Sequence, residues 1–211
     1  MVVSISCMLP LCFLTGGIGA PAGVVSPEPP PSPPQSEWAF VDALAAPLTW
    51  NPHWERTDKK AGEASLLEGV RIEPGFPDPD SVLETAYQDL RAFFESVGLP
   101  INGPYRITTE QVSTQRFETF RLAVSENECR IQAGDTEGIR RGIFFLEDQL
   151  MGAEGPFLPL GQIERAPFIH TRISRCFFGP IKRPPKNKDE LLDDVDYYPD
   201  GYLNRIAHDG V

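Results

Sequence analysis

Residues 131–150 read IQAGDTEGIRRGIFFLEDQL, a strand-like end, a Gly-Asp-Thr-Glu-Gly turn and a helix-like run. Glycine-rich turns between strand and helix often cradle phosphate, so the turn decides what kind of unit this is. Asp135 fits a helix N-cap, and Glu137 lies in the first turn, where negative charge suits the helix dipole. Ile139, Ile143, Leu146 and Leu150 then form an apolar stripe at helical spacing. A phosphate would meet two carboxylates here, and AGDTEG fits neither GxGxxG nor GxxxxGKS/T. The turn is structural on this reading, and a nucleotide-binding domain is set aside.

Upstream, the segments YRITTEQV (105–112), RFETFRLAVS (116–125) and ECRIQAG (128–134) alternate apolar and polar residues. Phe120, Leu122 and Val124 share one side of their segment, and Cys129, Ile131 and Ala133 one side of the next. Period two over short runs predicts antiparallel strands, including a hairpin through Ser125 to Glu128. A strand at 67–72 precedes a helix in DSVLETAYQDLRAFFESVGLP (80–100). There Ser81 and Glu84 read as a capping box, and Leu83, Tyr87, Leu90, Phe94 and Val97 as a core-facing stripe. Gly98 and Pro100 supply the stop.

Downstream, a short strand is expected at 161–164 and a buried strand at 168–178. A charged loop at 179–201 and a helix from 202 follow. A strand, a loop and a helix form one βα unit, which cannot cover both faces of its strand alone. The expectation is therefore a chain that stops inside a larger fold.

The chain has 211 residues with 19 basic against 30 acidic side chains, a formal charge of -11. Phosphate backbones and anionic lipid would repel it, which excludes nucleic acid as a partner class. Residues 1–22 form a short apolar run ending in Ala20-Pro21-Ala22, an A-x-A pattern without a basic start. It is too short to span a bilayer and reads as an export signal, placing the protein in the periplasm or outside the cell. Residues 23–36 are a proline-rich linker, and 37–66 an irregular arm in which Trp38, Trp50 and Trp54 pack on the domain. Cys7 and Cys12 fall in the leader; Cys129 and Cys176, far apart and outside any CxxC, are open to a disulfide or to two buried thiols.

The order of helix, strands, the 129–150 segment and LPLGQIERAPFIHTR (158–172) resembles the N-terminal domain of family 20 glycoside hydrolases, the β-N-acetylhexosaminidases. A similar domain precedes the barrel of family 67 α-glucuronidases. The specific elements are an I-x-A-x-D-x-x-G turn at 131–138 and a P-F-x-x-x-R segment at 167–172. The resemblance implies an α+β domain at 67–166, a mainly antiparallel sheet with helices on one face. It further implies that 167–211 begin a (β/α)8 TIM barrel whose remainder is missing. Such a domain has no catalytic residues of its own.

Arg172 matches the arginine that donates to sugar hydroxyls at the non-reducing end; pairing with a carboxylate between domains is its alternative role. Ala166 stands where many relatives carry an acid, so another glycosidase with the same domain order fits as well. The family's Asp-Glu catalytic pair belongs to a later barrel strand; here Asp189-Glu190 and Glu147-Asp148 read as solvated charge. There is no HExxH, and His53, His170 and His208 lack metal-ligand spacing. Asp193, Asp194 and Asp196 lack the EF-hand glycine and terminal glutamate. No metal and no cofactor are expected. The expectation is a non-catalytic, inactive fragment of an exported glycoside hydrolase, meeting glycan only through its full-length parent and partnered by that parent's barrel. The alternative is a stand-alone structural or carbohydrate- or protein-binding module.

Overall fold

The computed structural model describes residues 39–173, 180–183, 186–189 and 196–210. The leader, the proline-rich linker, Trp38, Cys176, Asp193 and Asp194 lie outside the described residues. In chain order the elements are α1 (Ala39–Ala45), β1 (Glu63–Ser65), β2 (Val70–Glu73), α2 (Glu84–Ser96), β3 (Tyr105–Gln111), β4 (Phe120–Val124) and β5 (Glu128–Ala133). They continue with α3 (Thr136–Met151), β6 (Phe157–Pro159), β7 (Gly161–Arg165), β8 (Pro180–Arg183), β9 (Lys186–Asp189) and α4 (Asp200–His208).

The class is α+β, but the central sheet is mixed, a correction to the mainly antiparallel expectation. Its five strands run in the order β2-β3-β5-β4-β7. β4 is antiparallel to β5 and β7, while β3 is parallel to both β2 and β5. The reason is connectivity. The helix α2 joins β2 to β3 as a crossover, which returns the chain in the same direction. The β4–β5 hairpin then enters with β5, not β4, beside β3. Alternation reveals which side of a strand is buried, and that pattern is the same for either direction of pairing.

One sheet face carries Val70, Tyr105, Ile107, Phe120, Leu122, Cys129, Ile131 and Ala133, all buried. α2 and α3 cover this face. The α2 stripe is buried at Leu83, Tyr87, Leu90 and Phe94, with Ala86 and Phe93 beside it, and Tyr87 reaches the sheet through a 2.9 Å hydrogen bond with Thr109 Oγ1. Cys129 is a free, fully buried thiol. The other face bears an ion-pair ladder, in which Arg106 bridges Glu73 at 2.9 Å and Glu128 at 3.6 Å, and Arg121 meets Glu164 at 2.6 Å. Such exposed pairs contribute little stability each and keep the face wetted.

Glycine sets how closely α3 sits on the sheet. A Cβ at Gly138 would lie 2.7 Å from both Ala133 Cβ and Thr119 O, and one at Gly142 would collide with Ile131 Cγ2.

At the start of α2 the capping box is not formed. Ser81 takes a left-handed conformation, φ 55°, and the helix begins at Glu84 without a side-chain cap. Asp78 holds the preceding turn instead, its carboxylate accepting from the backbone N–H of Val82 at 3.1 Å and Leu83 at 2.8 Å. The two donors the box would have used, the N–H groups of Ser81 and Glu84, go to the backbone carbonyls of Asp78 at 3.2 Å and Ser81 at 3.3 Å. The C-terminal stop is as expected: Gly98 has φ 77°, and the Gly98 and Leu99 N–H groups close back on Glu95 O and Phe94 O.

The arm at 37–66 contains α1 and β1, and β1 pairs antiparallel with β6. Trp50 meets Phe93 edge-on at 5.6 Å, and Trp54 Nε1 donates to Leu150 O at 3.0 Å. The strand expected at 168–178 is absent from its described part. Residues 168–173 are irregular, with Phe168 96% and Ile173 84% exposed. No strand among the described residues pairs with this segment, so its backbone has no ladder to join. The segment read as a charged loop holds the β8–β9 hairpin. No helix among the described residues is long and apolar enough to cross a membrane.

Candidate functional site

The two sequence elements at 131–138 and 167–172 meet. Asp135 caps α3 by accepting the Gly138 N–H at 2.8 Å, and the same carboxylate accepts the Glu118 N–H at 3.1 Å. Glu118 is held left-handed, φ 62°, a conformation a non-glycine residue adopts only when its surroundings enforce it. Its carboxylate, almost fully buried, accepts a hydrogen bond from Arg172 Nη2. Arg172 Nη1 donates to Ile169 O at 2.8 Å, and Arg116 Nη2 to Pro167 O at 2.9 Å.

Beside them Arg141 of α3 donates to Ala207 O near the end of α4, 2.7 Å away. Burial, and then the charge of Arg172, hold the Arg141 guanidinium below its ordinary value. One turn, one loop, the 167–173 segment and α4 are thus tied together. The opening turn spends its carboxylate on backbone N–H groups, although an open concavity of about 670 Å³, lined by 111–117, Gly134 and Asp135, borders it.

Arg172, the one candidate site residue from sequence, sits in this junction with its side chain 24% exposed. Phe117, Phe168, Ile169 and Ile173 lie exposed in the loops that build it.

A second constellation joins α2, α3 and α4. His208 Nε2 lies 2.6 Å from Asp89 Oδ2, and Nδ1 lies 3.6 Å from Glu147 Oε2. Asn204 Nδ2 donates to the other Asp89 oxygen at 2.8 Å. Phe144 stacks on the imidazole with ring centroids 3.9 Å apart, and Trp50 meets it edge-on at 6.5 Å. Glu147 is 1% exposed and neither of its oxygens has a hydrogen-bond partner. Burial, followed by the neighbouring Asp89 and Asp148 charges, pushes its carboxyl up to about 10, so it is neutral at pH 7.

This overturns the reading of Glu147 as solvated charge. A clue was in the pattern: Glu147 falls four residues after Ile143 and three before Leu150, on the stripe itself. His208, set aside for want of ligand spacing, is brought to Asp89 and Glu147 across 119 and 61 residues of sequence, which local spacing cannot show.

No protein-family model matches the chain. No curated protein matches it either. Among solved structures it is similar to part of a β-hexosaminidase from Streptomyces plicatus, with 20% identity over 64% of this chain and 32% of that one, TM-score 0.39. It is similar also to a β-N-acetylhexosaminidase from Bacteroides fragilis, at 18% identity over 55% of this chain and 24% of that one, TM-score 0.37. A glycoside hydrolase of family 138 that targets pectin rhamnogalacturonan II matches at 19% identity over 46% of this chain and 12% of its own, TM-score 0.40. The chain thus spans less than a third of the length of each, and what it is similar to is a part of several glycoside hydrolases, at an overlap that leaves chemistry to the residues themselves.

Proposed function

We propose that the chain is the non-catalytic N-terminal domain of an exported glycoside hydrolase, followed by the first βα unit of its (β/α)8 barrel. The observation that carries this reading is the junction of Asp135, Glu118 and Arg172. It physically joins the two sequence elements on which the resemblance rests, the I-x-A-x-D-x-x-G turn and the P-F-x-x-x-R segment. The exposure of Phe168, Ile169 and Ile173 supports it, because three neighbouring apolar side chains left in solvent call for a covering surface, which the rest of a barrel would supply.

Within the parent, Arg172 is the sugar contact of this segment. Its guanidinium commits Nη1 to Ile169 O and Nη2 to Glu118, which orients the fork and leaves further N–H donors for hydroxyls. The paired carboxylates that cleave the glycosidic bond come from later barrel strands.

The test is the transcript downstream of the Val211 codon, followed by a hydrolase assay. An open frame through further βα units with paired acids, together with hydrolysis of terminal sugars by the long product and none by residues 1–211, is the expected result. A stop codon directly after Val211 overturns it and favours a stand-alone module.

A further inference from the structure

We propose that Asp89, His208 and Glu147 form a proton-operated latch that fastens α4 onto α2 and α3. The inference goes beyond the glycosidase reading and does not depend on it. One imidazole faces carboxylates on two helices, Asp89 of α2 through Nε2 at 2.6 Å and Glu147 of α3 through Nδ1 at 3.6 Å. The titratable groups that face it are Asp89 from α2, Glu147 and Asp148 from α3, and His208 itself from α4. From the arm before β1, Trp50 brings only its ring, and Phe144 closes the other side.

Two ionised carboxylates this deeply buried, with side chains 9% and 1% exposed and Glu147 without any hydrogen-bond donor, carry a large desolvation cost. The cluster sheds that cost by keeping a proton on Glu147, which in water would release it. Closing the latch therefore takes up a proton, and the position of the Glu147 carboxyl, pushed up to about 10 by burial first and Asp89 second, agrees with this.

The three groups offer atoms within 4.8 Å of one another, close enough to consider a divalent cation. A proton meets the same need more simply: it neutralises the Glu147 carboxylate, 1% exposed and without a hydrogen-bond partner, without bringing a second charge and its desolvation cost into the site.

The sign is fixed. A carboxyl whose folded value lies above its unfolded one stabilises fully below about 4.5 and loses that contribution as pH rises toward about 10.

The experiment is urea unfolding of the full chain from pH 5 to 9, for the parent sequence and for Glu147→Gln, which keeps the shape and carries no titratable proton. The expected result is a folding constant that falls with pH by up to about tenfold per unit more steeply in the parent than in the variant. Equal slopes overturn the proposal. If the variant does not fold, the carboxyl carbon resonance of Glu147 in the parent at pH 7 answers instead: a neutral acid supports the latch, a carboxylate overturns it. Stoichiometric Zn²⁺ binding that raises Tm and is lost in Glu147→Gln also overturns it, in favour of a metal site.

Discussion

Asp135 shows how much one side chain can carry. Its carboxylate satisfies one orphan N–H of α3 and also the N–H of Glu118, which keeps a non-glycine residue left-handed and aims its side chain at Arg172. Loss of an N-cap alone costs about 0.5–2 kcal/mol. Asp135→Ala is expected to reach or exceed the upper end, because it also releases the Glu118 backbone, while Asp135→Asn retains part of both bonds. Urea unfolding of the two variants checks this, and equal losses would argue that the charge rather than the acceptor geometry matters. The cap was legible in sequence because capping is local. The grip on Glu118, 17 residues upstream, was not, since it depends on where the loop after β3 lands.

At the scale of elements, α3 on the sheet is the central contact. Its stripe is buried as the 3.6-residue period requires, and glycine at position 138 lets the helix approach the strand end where a methyl group would meet Ala133 Cβ and the Thr119 carbonyl. Helix propensity favours Ala over Gly by roughly 1 kcal/mol. Here the gain is outweighed, because neither obstructing group can move without the backbone, and overpacking costs about 1–3 kcal/mol. Gly138→Ala is expected to lower stability, by chemical denaturation; a rise would mean that α3 can lift off the sheet at small cost. Both stripes, the β4–β5 hairpin and the Gly98 stop could be read from spacing. The Ser81 cap could not, because the turn that Asp78 holds leaves Ser81 left-handed and passes the box's donors, the N–H groups of Ser81 and Glu84, to backbone carbonyls. The buried role of Glu147 stood on the α3 stripe in plain sequence and was masked by its charge.

For the molecule as a whole, Cys129 is a reporter of global opening. It sits on β5 beneath the helices, fully buried, with burial pushing the thiol up to about 12. Reaction requires the thiolate, so both access and ionisation protect it. In the native protein at pH 8 it is expected to resist a thiol reagent, and its labelling rate should rise in step with the denaturant transition. Labelling well below that transition would reveal a local opening of α3 instead.

What the sequence by itself determined is the set of short-range features. Apolar spacing, helix ends, the hairpin and the structural character of the 134–138 turn follow from sterics and hydrogen bonds within a few residues of each other. Only the tertiary structure decided the strand order, the parallel pairing of β3 with β2 and β5, the joining of Asp135 to Arg172 through Glu118, and the meeting of Asp89, Glu147 and His208. Each of these depends on which distant segments share a surface, and burial at that surface, rather than residue type, sets the charge and the role of the side chains it encloses.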